Sequence, residues 1–289
     1  MGERAVKCYV VTGSASGMGR AVTEKLRAQG HTVIGVDRVD ADVIADLSTA
    51  DGRHTAIADV LAAADGRLDG AVLSAGLGPT PGKERLRLIA EVNYLGVVEL
   101  LEGWRSALAA ADEAKVVVFS SNSSTTVPAV PSRTLAAFAE RDIDKVCRSV
   151  RIFGKQAAPI VYAGSKIAVS HWVRRAAATR DWAGAGIRLN ALAPGAILTP
   201  LLERQLATPT EAKAIRSFPV PIGGFGDAAQ LADWVLFMVS DSAQFLCGSV
   251  IFVDGGSDAY FRAADWPRAV PVRRLIGYAR RFRGFTPYR

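Results

Sequence analysis

A chain of 289 residues, 49% of them hydrophobic, can bury a full core as one α/β domain, and no run in it approaches the roughly 18 apolar residues of a membrane span. The net charge of +7 is uneven: eight arginines and two aspartates put +6 between Asp258 and Arg289, leaving +1 for everything before. Cys8, Cys147 and Cys247 and the scattered His31, His54 and His171 lack metal-ligand spacing and argue against both a zinc site and a disulfide framework, so no metal is expected. With no signal-peptide pattern in residues 1–7, a cytoplasmic location is the expectation.

Short apolar runs rich in β-branched residues alternate with stretches of helical period, the pattern of repeated βα units around a parallel sheet. The periodicity predicts a strand at 6–11, a helix at 17–29, a strand at 32–36 and a helix at 50–63. A strand at 70–73, a helix at 86–111 and a strand at 115–119 follow. The next helix, 162–183, begins about 40 residues later, too far for an ordinary connection. A helical insertion over about 124–160 is therefore expected, with 133–153 helix-compatible. A strand at 187–192, helices at 200–217 and 228–240, and a strand at 250–253 complete the pattern before the turn Asp254-Gly255-Gly256. The reading is an α/β chain with a Rossmann-type doubly wound parallel sheet and helices on both faces. It is a single domain over 1–257 followed by an arginine-rich extension over 258–289.

Thr12-Gly13-Ser14-Ala15-Ser16-Gly17-Met18-Gly19 lies between the first strand and the first helix. There Gly13 permits a tight turn, and Gly17 lets the backbone at Ser16 and Met18 approach a pyrophosphate on the helix N-terminus. Gly19 allows close helix–strand packing. Asp37, at the end of the second strand, can accept hydrogen bonds from both adenosine ribose hydroxyls and repels a 2′-phosphate, which favours NAD over NADP. Arg38 beside it is able to pair with that phosphate, so the preference need not be strict.

Tyr162-Ala163-Gly164-Ser165-Lys166 sets a phenol and an ammonium four residues apart, on one helix face. The cation is expected to favour the phenolate, letting Tyr162 take a proton from an alcohol or give one to a carbonyl oxygen. Ser120-Ser121-Asn122-Ser123-Ser124, at the end of the strand closing at Phe119, offers hydroxyls to a substrate oxygen, although serine-rich runs also make plain turns. Asn93, in Glu91-Val92-Asn93-Tyr94, reads equally as a site residue or as a structural one that makes a helix kink or a core hydrogen bond. The segment 201–222 contains Leu201, Leu202, Leu206 and Phe218 and reads as a lid over an apolar pocket or as a packing helix.

Together the Thr-Gly-x-x-x-Gly-x-Gly loop and the Tyr-x-x-x-Lys pair resemble the short-chain dehydrogenase/reductase family, over essentially residues 6–256. Within it, four stretches are similar to the bacterial 3α-hydroxysteroid dehydrogenase/carbonyl reductases. These are residues 42–53, Ala75-Gly76-Leu77-Gly78-Pro79, the long segment before Tyr162, and Pro194-Gly195-Ala196 with Thr199-Pro200-Leu201-Leu202. The resemblance implies that Ser121, with Ser123 as the alternative, holds the substrate oxygen and that Asn93 supports a water-linked proton relay to Lys166. It places Asp46 and Leu47 at the adenine, and Ala75 and Gly76 along the cofactor, although Ser74 stands where the family has asparagine. Ile197, through its backbone, and Thr199 would hold the nicotinamide carboxamide, and Tyr162 and Lys166 would also touch the cofactor. The implied activity is hydride transfer between NAD(H) and a secondary alcohol or ketone, a hydroxysteroid or other apolar carbonyl compound, by a homodimer or homotetramer.

Two alternatives stay open: the same chemistry on fatty-acyl, sugar or quinone carbonyls, and a non-catalytic NAD-binding scaffold with a partner-binding tail. The extension interleaves its arginines with Tyr260, Phe261, Trp266, Tyr278, Phe282, Phe285 and Tyr288. Blocks of like charge are usually solvated, so it is expected to be solvated or packed on a subunit rather than bound to nucleic acid or a membrane.

Overall fold

The computed structural model describes residues 6–80, 82, 84–127, 129–265 and 270–288. Its strands are β1 (Cys8–Thr12), β2 (Thr32–Asp37), β3 (Val43–Ile44), β4 (Gly70–Leu73), β5 (Lys115–Phe119), β6 (Arg188–Pro194), β7 (Ile197–Leu198), β8 (Gly226–Asp227) and β9 (Val250–Val253). Seven of them form one sheet in the order β3-β2-β1-β4-β5-β6-β9, while β7 and β8 pair separately, and every pairing is parallel. The helices are α1 (Gly17–Ala28), α2 (Ala50–Ala63), α3 (Arg85–Ala90), α4 (Gly96–Ala109), α5 (Ser123–Thr126), α6 (Ser132–Ala139), α7 (Ile143–Val150), α8 (Ala157–Ala176), α9 (Pro200–Leu206), α10 (Pro209–Arg216), α11 (Ala228–Val239), α12 (Ser257–Arg262) and α13 (Leu275–Arg283).

Alternation along the strands sends side chains to two separate cores. Val10, Ala71, Val116 and Val118 pack with Val60 of α2, Trp104 of α4 and Val169 of α8. Tyr9, Val11, Val72 and Val117 face Val22 and Leu26 of α1 and Val235 of α11. Burial on both faces explains why the strands are continuously apolar instead of alternating with polar residues. The chain runs from β1 outward to β2 and β3, then returns past β1 to β4, so the strand order reverses at β1 and β4 and opens a crevice at their carboxyl ends. Register pairs Thr12 with both Val36 and Leu73, and Leu73 with Val118. Gly13, Asp37, Ser74 and Phe119 therefore leave the sheet level with one another.

Several elements differ from the sequence expectation. The pair Val43–Ile44 is too short to carry a period. The expected helix over 86–111 is broken by a π turn at Glu91–Leu95. The expected start at Tyr162 moves back to Ala157, and the helix ends at Ala176, with a π turn at Arg180–Gly184 replacing its last residues. The expected helix over 200–217 divides because Thr208, extended at φ −93° and ψ 117°, precedes Pro209, and a residue before proline avoids the helical region. In the insertion, Arg141 at φ 59° separates α6 from α7, where one helix-compatible stretch was read. These two helices bury Phe138, Val146 and Val150, and Phe138 meets the ring of Tyr94, edge-on at 5.3 Å, inside the first π turn.

Among the described residues, the extension makes hydrogen bonds to the domain near its two ends. Ser257 is buried, its hydroxyl donating to Pro219 O at 2.7 Å, and the Tyr288 hydroxyl donates to Ala178 O at 3.0 Å. Between them α13 is exposed except at half-buried Ala279. Trp266 lies outside the described residues.

Candidate active site

The glycine loop is shaped by contacts that leave no room for side chains. Gly13 and Gly17 have φ of 72° and 54°. A Cβ on Gly13 would lie 2.9 Å from the Ala75 backbone, and one on Gly19 only 2.1 Å from Gly13 O. At Gly17 the same atom would stand 3.4 Å from Thr199 Cγ2, so the loop faces the Thr199 segment across a narrow gap. Ser16 caps α1 with extended backbone, but its side chain makes no capping hydrogen bond. The first N–H groups of the helix thus remain available to an anion. Met18 is half-buried against the α1 and α11 side of the sheet. The next strand end is fixed to the loop by Ala75 N–H, which donates to Thr12 Oγ1 at 3.1 Å.

Asp37 is half-buried at the edge of this loop. Its Oδ2 accepts from Ala15 N at 3.0 Å and its Oδ1 from Arg38 N at 2.7 Å. A carboxylate offers about four lone-pair positions, so capacity remains for ribose hydroxyls. Asp46 is exposed, and its Oδ1 accepts from Ser48 N at 2.9 Å. Burial works against its charged form, but the Ser48 hydrogen bonds and the charge of Arg38 together hold its carboxyl below the usual range. Leu47 is buried beside it. The loop, these two carboxylates and the small residues Ala75 and Gly76 fit a dinucleotide lying across the strand ends.

The chemistry-bearing residues meet beyond the end of β5. Tyr162, in the second turn of α8, has its hydroxyl beside Ser121; burial pushes the phenol pKa up and the neighbouring Ser121 hydroxyl partly offsets this. The sequence expectation was the reverse, a phenol lowered by Lys166. That lysine is itself 5% exposed, its Nζ donates to Phe119 O at 2.7 Å, and burial pulls its pKa down to about 8. Desolvation therefore governs both groups.

Asn93 is fully buried in the first π turn. Its Oδ1 accepts from Leu77 N at 2.8 Å, and its Nδ2 donates to Leu77 O at 3.0 Å and to Ser165 Oγ at 3.4 Å. A Cβ on Gly76 would fall 3.4 Å from Asn93 Oδ1 and 3.8 Å from Lys166 Nζ, so glycine here keeps the space between amide and ammonium open. Such π turns inside α-helices recur at functional sites.

Of the serines, Ser121 is the one beside Tyr162. Ser120 bonds Ser170 Oγ at 2.8 Å and Lys166 O at 3.2 Å, tying β5 to α8, and Ser124 Oγ donates to Ser121 O at 2.7 Å. Ser123 donates its backbone N–H to Ser121 Oγ at 3.1 Å. On the far wall, buried Ile197 and the following residue pair with Gly226 and Asp227, and Thr199 Oγ1 accepts from Leu202 N at 3.4 Å. Helices α9 and α10 border an open cleft of about 650 Å³ lined by Leu206, Ala212, Lys213 and Arg216. Phe218, at the end of this segment, stacks on Phe261 with ring centroids 5.7 Å apart. The side chain of Leu201 lies outside the described residues.

Arg53, which no motif in the sequence marks, is the residue the sequence reading missed. It is buried in α2; Nη1 donates to Leu47 O at 3.1 Å and Glu91 Oε2 at 2.9 Å, and Nε to Glu99 Oε2 at 2.6 Å. One guanidinium thus joins the Leu47 loop to the turn that carries Asn93. Arg53→Met leaves two carboxylates facing a partly buried gap, and breaking such a pair costs about 3–5 kcal/mol. Urea unfolding should show this loss, and a change below about 1 kcal/mol would mean the pair is solvated. Among the described residues, no three His, Cys, Asp or Glu side chains are grouped to hold a metal, and no helix is long and apolar enough to cross a membrane.

Known proteins share this arrangement. Residues 143–258 match a family model described as enoyl-(acyl carrier protein) reductase. The chain is 41% identical over 258 residues to the 3-alpha-hydroxysteroid dehydrogenase/carbonyl reductase of Comamonas testosteroni, spanning 89% of this chain and 98% of that one. A 2,5-dichloro-2,5-cyclohexadiene-1,4-diol dehydrogenase of Sphingobium indicum is 30% identical over 275 residues, 90% of this chain and all of the relative. The crystal structure of the 3-alpha-hydroxysteroid dehydrogenase from Pseudomonas sp. B-0831 complexed with NADH superposes with a TM-score of 0.83 at 41% identity, over 90% of this chain and 100% of that chain. With the glycine loop, the reversal of strand order and the Ser-Tyr-Lys grouping in their places, these matches make the chain an oxidoreductase of the short-chain dehydrogenase/reductase family.

Proposed function

We propose that the protein transfers a hydride between NAD(H) and the ketone or secondary alcohol of an apolar, hydroxysteroid-like compound. The observation that carries this reading is the grouping of buried Ser121 and Lys166 with Tyr162 beyond the end of β5, level with the glycine loop. When bound, the nicotinamide supplies or accepts the hydride at the substrate carbon. In reduction the Ser121 and Tyr162 hydroxyls hold the substrate oxygen, and Tyr162 gives it a proton. A phenol pushed up by burial stays protonated through neutrality and suits that direction. In oxidation Tyr162 must first lose its proton, a step that burial opposes and the Ser121 hydroxyl partly assists. Asn93, clamped by Leu77, keeps the lysine end of the site polar and ordered. Turnover of 3-keto steroids, simple aromatic ketones and quinones with NADH, using Tyr162→Phe as control, tests the reading. Tyrosine-dependent turnover of the steroids supports it, and NADH binding without steroid turnover discards the substrate class.

NAD is preferred over NADP because the Asp37 carboxylate stands where a 2′-phosphate would sit. Asp37→Ala is expected to lower kcat/KM with NAD about 10- to 100-fold, the worth of a charge-assisted hydrogen bond, and to narrow the NAD/NADP ratio. A wild type that already prefers NADP overturns the ribose argument. The free cysteines fit a reducing cytoplasm. Edge strand β9 and the exposed Trp234, Phe237 and Phe245 beside it offer an apolar face on which a homo-oligomer would close.

A further inference from the structure

The arginine-rich extension supplies none of the site residues described above. The match to the Comamonas enzyme uses 258 residues of this chain and already spans 98% of that protein, and the Pseudomonas structure is covered completely by 90% of this chain. Residues 266–289 contain arginines and no acidic residue. Blocks of this kind are usually solvated and featureless, yet residues 275–283 form a helix. At 100° per residue, Leu275, Tyr278, Ala279 and Phe282 share one arc of that helix, Arg280 and Arg281 lie opposite, and Arg283 flanks the arc. Within this arc Leu275, Tyr278 and Phe282 are exposed, Phe282 at 80%, and Ala279 is half-buried; Ile276, beyond Arg283 at the edge of the arc, is 71% exposed.

We propose that residues 270–288 dock the enzyme on an anionic lipid surface, with Leu275, Tyr278 and Phe282 entering the headgroup boundary and the flanking arginines binding lipid phosphates. The charge pattern selects this occupant. A second copy meeting the same face would bring two arginine-bearing helices together with no acidic residue in 266–289 to pair them. Nucleic acid would satisfy the arginines and leave Leu275, Ile276 and Phe282 uncovered. An anionic bilayer answers both halves of the helix, apolar below and negative around it. The anchor of the extension adds to the match. The Tyr288 hydroxyl bond to Ala178 O places its end beside the last turn of α8, where Arg174, Arg175 and Arg180 are exposed. At the other end of the extension, the Phe261–Phe218 contact and the Ser257–Pro219 bond join it to the segment bordering the open cleft. Docking is independent of which carbonyl compound the site reduces.

Co-sedimentation of the full chain with phosphatidylcholine vesicles, with and without about 30 mol% phosphatidylglycerol, tests the proposal. Binding is expected only with the anionic lipid, and it should weaken at least tenfold between about 50 and about 500 mM salt. Reversing three charges together (R280E, R281E and R283E) should weaken it at least ~100-fold. Ile276→Ser with Phe282→Ser should weaken it about tenfold or more at low salt, a loss that a purely electrostatic contact would not show. Both variants should keep wild-type turnover of a water-soluble ketone, which reports an intact fold. Three results would each overturn the proposal. They are no association of the wild type at millimolar anionic lipid, equal binding to neutral vesicles, and unchanged binding by the charge-reversed variant. A charge-reversed variant that instead changes oligomeric mass, or a wild type that retards DNA but ignores vesicles, overturns it in favour of those partners.

Discussion

Tyr162→Phe is expected to lower kcat/KM about 10³-fold in both directions while NADH affinity stays within about twofold. The phenylalanine keeps the ring and its packing on α8 and removes only the hydroxyl beside Ser121. The glycine loop, Asp37 and the Thr199 segment remain, so the dinucleotide loses little. What disappears is the proton donor to the substrate oxygen, and water at that position is neither aligned nor held. The pH profile of the wild type carries the same argument. Burial pushes the Tyr162 pKa up, so ketone reduction should be flat through neutrality and fall in the alkaline range, where the donor is lost. Alcohol oxidation should rise with pH as the phenolate forms. Stopped-flow turnover and NADH fluorescence titration of the two proteins separate chemistry from binding. An equal loss of both would remove Tyr162 from the proton-transfer step.

Which parts of this site were readable in the sequence depends on how far apart the interacting residues are. The glycine loop and the Tyr162–Lys166 pair are local: spacing along one turn or one helix face fixes their geometry, and both appear where the sequence places them. The period of the strands likewise marks the sheet. What escapes is set by long-range packing. Arg53 joins Leu47, Glu91 and Glu99, and no local pattern announces three partners on different segments. The π turn over Glu91–Leu95 leaves the apolar content of a helix almost unchanged, so Asn93 reads as an ordinary helical residue with either of two roles. The choice among the serines after Phe119 also needed α8 in place, since Ser170 takes Ser120 and Tyr162 stands beside Ser121. The inverted expectation for the phenol has the same origin: four-residue spacing supplies the cation but says nothing about how deeply both groups are desolvated.

Lys166→Met is expected to abolish most activity, about 10²–10³-fold, and yet to leave the cofactor-free protein as stable as the wild type or more so near pH 7. The lysine is buried, and its pKa falls from the ordinary 10.5 to about 8 because burial penalises the ammonium. Below about pH 8 the native state must hold that charge in a dry site, whereas the unfolded chain keeps it solvated. Between about 8 and 10.5 the unfolded chain binds the proton and the native one does not, so stability rises with pH across that window. The shift corresponds to ~3 kcal/mol, an order-of-magnitude figure. Methionine fills nearly the same volume without charge, but it leaves Phe119 O without the bond that Lys166 now donates, at a cost of about 1–3 kcal/mol. At pH 7 the two terms nearly cancel or favour the variant. By about pH 10.5 the wild type has recovered its penalty and should exceed the variant by the value of that one hydrogen bond. Urea midpoints of both proteins at the two pH values measure the difference directly, and titrations common to both cancel in it. A difference that stays constant with pH would mean that Lys166 is solvated in the absence of cofactor. A difference that moves as expected shows an ammonium held at a cost to the fold, four residues along α8 from Tyr162.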